Sequence, residues 1–252
     1  MKNCNRILLA AIVPVIICAF PALGDETNTL VERADRLDAQ EQTSSAIDLL
    51  LEADKSSPNN PKILVRLSQD YSDQIDNVKD HARKLNFANL SMEYARRAVQ
   101  LAPNSSEAHA ALSVAYGKMT DFVDNKTKIE YSKVVKSEAE KSVELNPKND
   151  NALLVLARWN LDMSTLNPLL KSFAQVFYGQ LPPASKEKAL DYFQRAIAAA
   201  PQRIIYHGEY AQALEALGRR DEARAEWRKV RELRPIDSRE RQLQAMAASK
   251  LR

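Results

Sequence analysis

Three histidines, His81, His109 and His207, are the side chains best suited to proton transfer near neutral pH. They are far apart in the chain, and none belongs to a His-x-x-x-His or Glu-x-x-His pair of the kind that sets two metal ligands on one helix face. The two cysteines, Cys4 and Cys18, fall in the first 18 residues. No Gly-x-Ser-x-Gly turn exposes a serine nucleophile, and five scattered glycines cannot build a phosphate-cradling loop. Glu138, Glu140 and Glu144 stand beside lysines, the pattern of a solvated helix face rather than of an acid–base pair. The expectation is a protein that is not an enzyme, with no cofactor and no metal. Asn89, Asn104 and Asn125 head Asn-x-Ser/Thr triplets that matter only in a eukaryotic secretory route.

The elements that carry these residues begin after residue 24. Lys2 and Arg6 precede the apolar run ILLAAIVPVIICAF, and Ala22 and Gly24 place small side chains where a signal peptidase cutting before Asp25 needs them. Residues 1–24 read as a cleaved signal peptide, and the chain as exported, periplasmic or secreted. A retained anchor is the alternative, but residues 7–23 contain Pro14 and Pro21 and fall short of the roughly 20 apolar residues that span a bilayer. Bulky Val15, Ile16 and Ile17 ahead of Cys18 argue against lipid attachment. Both cysteines leave with the peptide, so stability rests on packing alone. Removing Lys2 and Arg6 from 36 basic residues leaves 34 against 33 acidic ones, a net +1 that gives no support for nucleic acid binding.

Residues 25–252 are rich in Ala, Leu, Lys, Arg and Glu and poor in Gly, which predicts an all-α domain. Aligning on prolines shows a repeat. Ala46, Leu50, Ala53 and Pro58 recur as Ser91, Ala95, Ala98 and Pro103, then as Val135, Ala139, Ser142 and Pro147. Ala189, Phe193, Ala196 and Pro201 follow, and then Ala223, Trp227, Val230 and Pro235. The last two prolines are 34 residues apart, a tetratricopeptide period, while the other gaps of 45, 44 and 54 add insertions to it. Small residues let helix B of each pair lie close to helix A, and proline ends helix B. After the prolines come the helix A rows Leu64-Leu67-Tyr71, His109-Leu112-Tyr116, Leu153-Leu156-Asn160 and His207-Tyr210-Leu214. Gly218 suits a left-handed helix end. The prediction is a right-handed α-solenoid of about five helix pairs with long insertions, starting from a helix over 27–43 and capped by one over 236–251. His109 and His207 share one repeat position and are read as packing residues.

Insertions 72–86 and 117–134 are polar and predict longer helices on either side of a turn. Insertion 164–185 is different, because it forms an amphipathic helix with Leu169, Phe173, Val176 and Phe177 on its apolar face. That face either packs on neighbouring units or roofs a groove for a hydrophobic ligand. The sequences KVVKSEAEKSVELNPKNDNALLVLARW and YGQLPPASKEKALDYFQRAIAAAP resemble the tetratricopeptide domain of the regulator of microtubule dynamics family and its exported bacterial relatives, over about residues 44–240. The resemblance implies an all-helical adaptor without catalytic residues. An exported chain meets no microtubule, so the family's named activity does not carry over with it.

The function expected is an exported scaffold that binds a protein or peptide partner on its concave face, with Lys62, Gln69, Lys118, Asn151, Arg158, Gln212 and Glu215 as the residues in contact. Arg158 has a structural alternative, its guanidinium stacked on an aromatic ring beside Trp159. The lysine clamp that reads chaperone tails is ruled out by Val65, Ala110, Leu154 and Gly208 at its defining position. The alternative function is a hydrophobic-ligand or lipid carrier built on insertion 164–185. Residues 25–70 hold ten acids and five bases, and 219–252 eleven bases and six acids, so the basic end with Arg220, Arg224, Arg228 and Arg231 offers a peripheral contact with an acidic partner or membrane lipid.

Overall fold

The structure, a computed structural model, describes residues 23–252 apart from 41, 170, 173–174 and 176–181, with side chains from residue 28 onward. Residues 1–22 of the expected signal peptide 1–24, and Phe173, Val176 and Phe177 of the third insertion, therefore lie outside the described residues. Helices make up the fold: α1 (Leu23–Ala39), α2 (Thr43–Ser56), α3 (Pro61–Asn77), α4 (His81–Leu101) and α5 (Ser106–Met119) come first. After a short 3-10 turn at Thr120–Phe122 follow α6 (Asn125–Leu145), α7 (Asp150–Thr165), α8 (Lys186–Ala199), α9 (Ile204–Ala216), α10 (Arg220–Glu232) and α11 (Ser238–Lys250). Each odd-numbered helix up to α9 packs on the even-numbered helix after it, giving five pairs in a row, and α11 closes the last one. This is the expected solenoid. The first helix begins at Leu23 rather than 27, ahead of the predicted start.

The proline register is visible in the packing. All fifteen small and large residues of the helix B motif are buried, from Ala46, Leu50 and Ala53 in α2 to Ala223, Trp227 and Val230 in α10. Each of these helices stops two or three residues before its proline. Before Pro58, Pro103, Pro147 and Pro201 the cap residues Ser57, Ala102, Asn146 and Ala200 swing out of helical geometry, as a residue one step from proline prefers. Their backbone N–H groups donate to the carbonyls of Ala53, Ala98, Ser142 and Ala196, the last small residue of each motif. Asn60, Ser105, Asn149 and Ser185 then open α3, α5, α7 and α8 by accepting from backbone N–H groups of the first turn. Gly218 takes φ 77° at the end of α9, a left-handed angle that costs glycine little.

The polar insertions lengthen the helix after each turn, α4 and α6 having 21 residues each against 13 in α10, whereas before the turn α3 reaches 17 but α5 only 14, against 13 in α9. The buried apolar residues form two clusters. One runs through α1–α5, from Ala34 to Met119, and the other through α7–α11, from Leu153 to Ala247. Where α5 meets α7, the bridge is polar: Asn149 donates to Ser106 Oγ at 2.9 Å, and Ser106 and Ser142 exchange hydrogen bonds of 2.8–2.9 Å.

Candidate functional site

The inner face of the solenoid is made by α3, α5, α7, α9 and α11, and its chemistry is a ladder of ion pairs between successive helices. Arg66 of α3 meets Asp35 at 3.1 Å and also Asp38, both on α1, while holding Asp70 of its own helix at 3.2 Å. Lys118 of α5 donates to both carboxylate oxygens of Asp76 on α3, at 2.8 and 2.7 Å. Arg158 of α7 forks onto Glu209 of α9, with Nε at 3.0 Å from Oε2 and the second bond from Nη2. Glu209 also accepts from Arg239 of α11 at 3.1 Å. Among the described residues the ladder skips one step, α5 to α7, where Ala111, Val114 and Val155 occupy the corresponding rows.

The ladder takes in three of the seven residues expected on the concave face. Lys118 and Arg158 belong to the ladder, and Gln69 accepts from Arg66 at 3.4 Å. Trp159 does not stack on Arg158; its Nε1 donates to Ser132, and Lys136 lies over its ring. Asn151 is exposed at the start of α7 and accepts from the Tyr206 hydroxyl at 3.5 Å. Glu215 points elsewhere, since it takes hydrogen bonds from Trp227 of α10 at 3.0 Å and Lys250 of α11 at 2.6 Å. Burial alone would raise its pKa, but these two donors outweigh it and lower the value. Lys62 is exposed on the first turn of α3, and Gln212 is half-buried on α9. Leu169, the described member of the apolar insertion face, is 77% exposed. The clamp positions Val65, Ala110, Leu154 and Gly208 are buried, and a side chain at Gly208 would press on Leu243 of α11.

Two groove residues escape the sequence reading. Asp73 of α3 and Asp162 of α7 stand fifteen residues after their prolines, the position that Lys118 fills in the unit between, so the register that finds Lys118 also contains them. Among the described residues neither makes an ion pair within 4 Å. Both are reached by solvent, yet the surrounding walls hinder their hydration and raise both pKa values, against the pull of Lys118 and Arg239 on Asp73 and of Arg158 on Asp162. Asp70, 2% exposed, is pushed up to about 8 by burial, which outweighs Arg66.

The two buried histidines are clasps. His109 Nδ1 lies 2.6 Å from Glu138 and Nε2 2.9 Å from the Pro103 carbonyl; His207 repeats this with Glu226 at 2.6 Å and Pro201 at 3.0 Å. Each ring is saturated by its partners and joins the end of one helix B to the next, with no nucleophile beside it. Glu226 is lowered in turn, because hydrogen bonds from His207 and Lys229 overcome its burial. Among the described residues there is no group of three metal-ligating side chains, and no helix is long and apolar enough to cross a membrane.

Comparison with known proteins agrees with this architecture. A solved structure described as a thermophilic TPR protein in Thermus thermophilus superposes with a TM-score of 0.65 at 19% identity, covering 89% of this chain and 98% of that one. Its likeness is one of fold. Regulator of microtubule dynamics protein 1 of Bos taurus is 27% identical over 178 residues, 70% of this chain and 55% of that protein. Regulator of microtubule dynamics protein 3 of Xenopus laevis is 26% identical over 181 residues, 71% of this chain and 39% of the relative. The chain thus spans about half the length, or less, of these relatives. The family described as regulator of microtubule dynamics protein 1-3 matches residues 30–252, from the first helix to the last residue, and the chain belongs to that family.

Proposed function

We propose that this chain is an exported, non-enzymatic adaptor that holds an extended protein segment along the face built by α3, α5, α7 and α9, and that the segment brings a cationic side chain to Asp73 or Asp162. The observation that carries this reading is the pair of carboxylates that, among the described residues, have no ion pair in a face where Lys118, Arg158, Asp76 and Glu209 are matched. A carboxylate whose charge is penalised by its surroundings gains more than an ordinary one from an incoming cation. Val114 and Val155, both partly exposed, offer an apolar step between the two. Tetratricopeptide arrays present extended concave surfaces of this kind to their partners. Export rests on Lys2, Arg6, the apolar run after them and the small residues Ala22 and Gly24. The microtubule named by the relatives is not carried over, because an exported protein does not meet one.

The test is a selection of displayed peptides against the full chain, with Asp73→Asn/Asp162→Asn as the counter-target. Enriched peptides should carry Lys or Arg beside apolar residues and bind the variant about tenfold or more weakly, the scale of one charge-assisted hydrogen bond, at unchanged helicity and Tm. Peptides that bind both chains equally place the site elsewhere.

A further inference from the structure

The outward face of α10 carries a feature that neither the fold nor the groove uses. Arg220, Arg224, Arg228 and Arg231 are all exposed. At 100° per residue they fall within an arc of about 80° and span about 16 Å of the helix. The flanking cations are neutralised, Arg219 by Glu222 at 2.5 and 2.6 Å and Lys229 by Glu226 at 2.8 Å. Among the described residues, none of the four stripe arginines has a carboxylate within 4 Å. Six of the seven basic side chains from Arg219 to Arg234 are arginine, whose planar fork matches phosphate oxygens two at a time. Beyond the stripe the chain continues through exposed Arg234 to Ile236, an apolar side chain left 50% exposed.

We infer that this arginine face of α10 docks on the surface of an anionic phospholipid bilayer. The shape of the surroundings selects a flat array of phosphates over an acidic peptide. The adjoining cleft between α8 and α10, of about 350 Å³, is lined by Gln194, Tyr210, Leu214, Glu222, Glu226 and Lys229 among others. Its charges are already matched, Glu222 with Arg219 and Glu226 with Lys229 and His207, so the cleft offers an acidic segment no free cation beside the stripe. The arginines stand on the neighbouring convex face, where a planar surface can touch all four at once. Unpaired cations next to one exposed apolar residue fit the boundary between headgroups and acyl chains.

Flotation of the full chain with phosphatidylcholine vesicles, with and without phosphatidylglycerol, tests this. The ratio of binding to anionic over neutral vesicles is the readout, so any contribution from the apolar residues 7–23 cancels. At about 1 kcal/mol per basic residue near the surface, or about fivefold each, Arg224→Gln/Arg228→Gln should lower that ratio about 25-fold. Arg224→Lys/Arg228→Lys, which keeps the charge, should retain most of it. Salt should weaken the parent more than the Gln variant, and circular dichroism should show all chains equally helical. Equal ratios in the parent and the Gln variant would overturn the inference. So would a parent that ignores anionic vesicles yet binds polyglutamate or polyuridylate through the same arginines.

Discussion

Arg66 shows how much a single side chain organises here. It holds Asp35 and Asp38 of α1 and Asp70 of α3, three carboxylates around one guanidinium. Oδ1 of Asp38 and Oδ2 of Asp70 are buried without a donor, and burial raises the pKa of both groups. A carboxyl whose folded pKa lies near 8, against an ordinary 3.8, binds its proton more tightly in the folded state. The stability this supplies is complete below 3.8 and is lost as pH rises through 8. The parent should therefore unfold at lower urea at about pH 9 than at about pH 5. Asp70→Asn, which offers a permanent N–H in place of that proton, should flatten this difference and gain about 1–3 kcal/mol on the alkaline side, the usual cost of a buried polar group left unpaired. A urea midpoint that falls equally with pH in both chains would show that Asp70 stays ionised. Sequence spacing marks only the Arg66–Asp70 pair, four residues apart on one helix; Asp38 meets Arg66 across 28 residues.

At the scale of the helix, the small-large-small motif and its proline are the most legible feature of the chain. They give the pairing and the ends of five helices, because close approach and a lost backbone donor are properties of the residues themselves. Ala196 in α8, fully buried, is the sharpest test. Ala196→Leu should cost about 1–3 kcal/mol, read as a lower urea midpoint, by forcing neighbouring core side chains off their rotamers. The ladder between helices is only half legible. Proline counting puts Lys118 and Arg158 on the inner face but cannot name their partners Asp76 and Glu209, 42 and 51 residues away. Periodicity says which way a side chain points and is silent on what it meets. Glu240 is hidden for a similar reason. A charged residue in a polar helix reads as solvated, yet it is fully buried and accepts from Arg203 Nε at 2.8 Å and from the backbone N–H groups of Ile205 and Ile236. It thereby caps α9, whose own cap residue Arg203 provides no side-chain bond, and fastens α11 to it.

For the molecule as a whole, one prediction concerns processing. Chain recovered from the envelope of the producing cell should begin at Asp25 and, lacking any thiol, melt at the same temperature with and without reductant; recovery with Met1 intact would contradict this. The seam at α5–α7 has a mechanical consequence. The two apolar clusters end on either side of it, the ion-pair ladder skips it, and the Asn149–Ser106–Ser142 bonds pin it at the start of both helices. Two arms that meet where the apolar clusters divide are expected to flex against each other as the jaws of forceps do, which hydrogen exchange would show as amides at the α5–α7 step opening before those within either arm. A rotation at that pin would change the opening between the jaws and fit it to the girth of what lies between them, with the packing inside each arm retained.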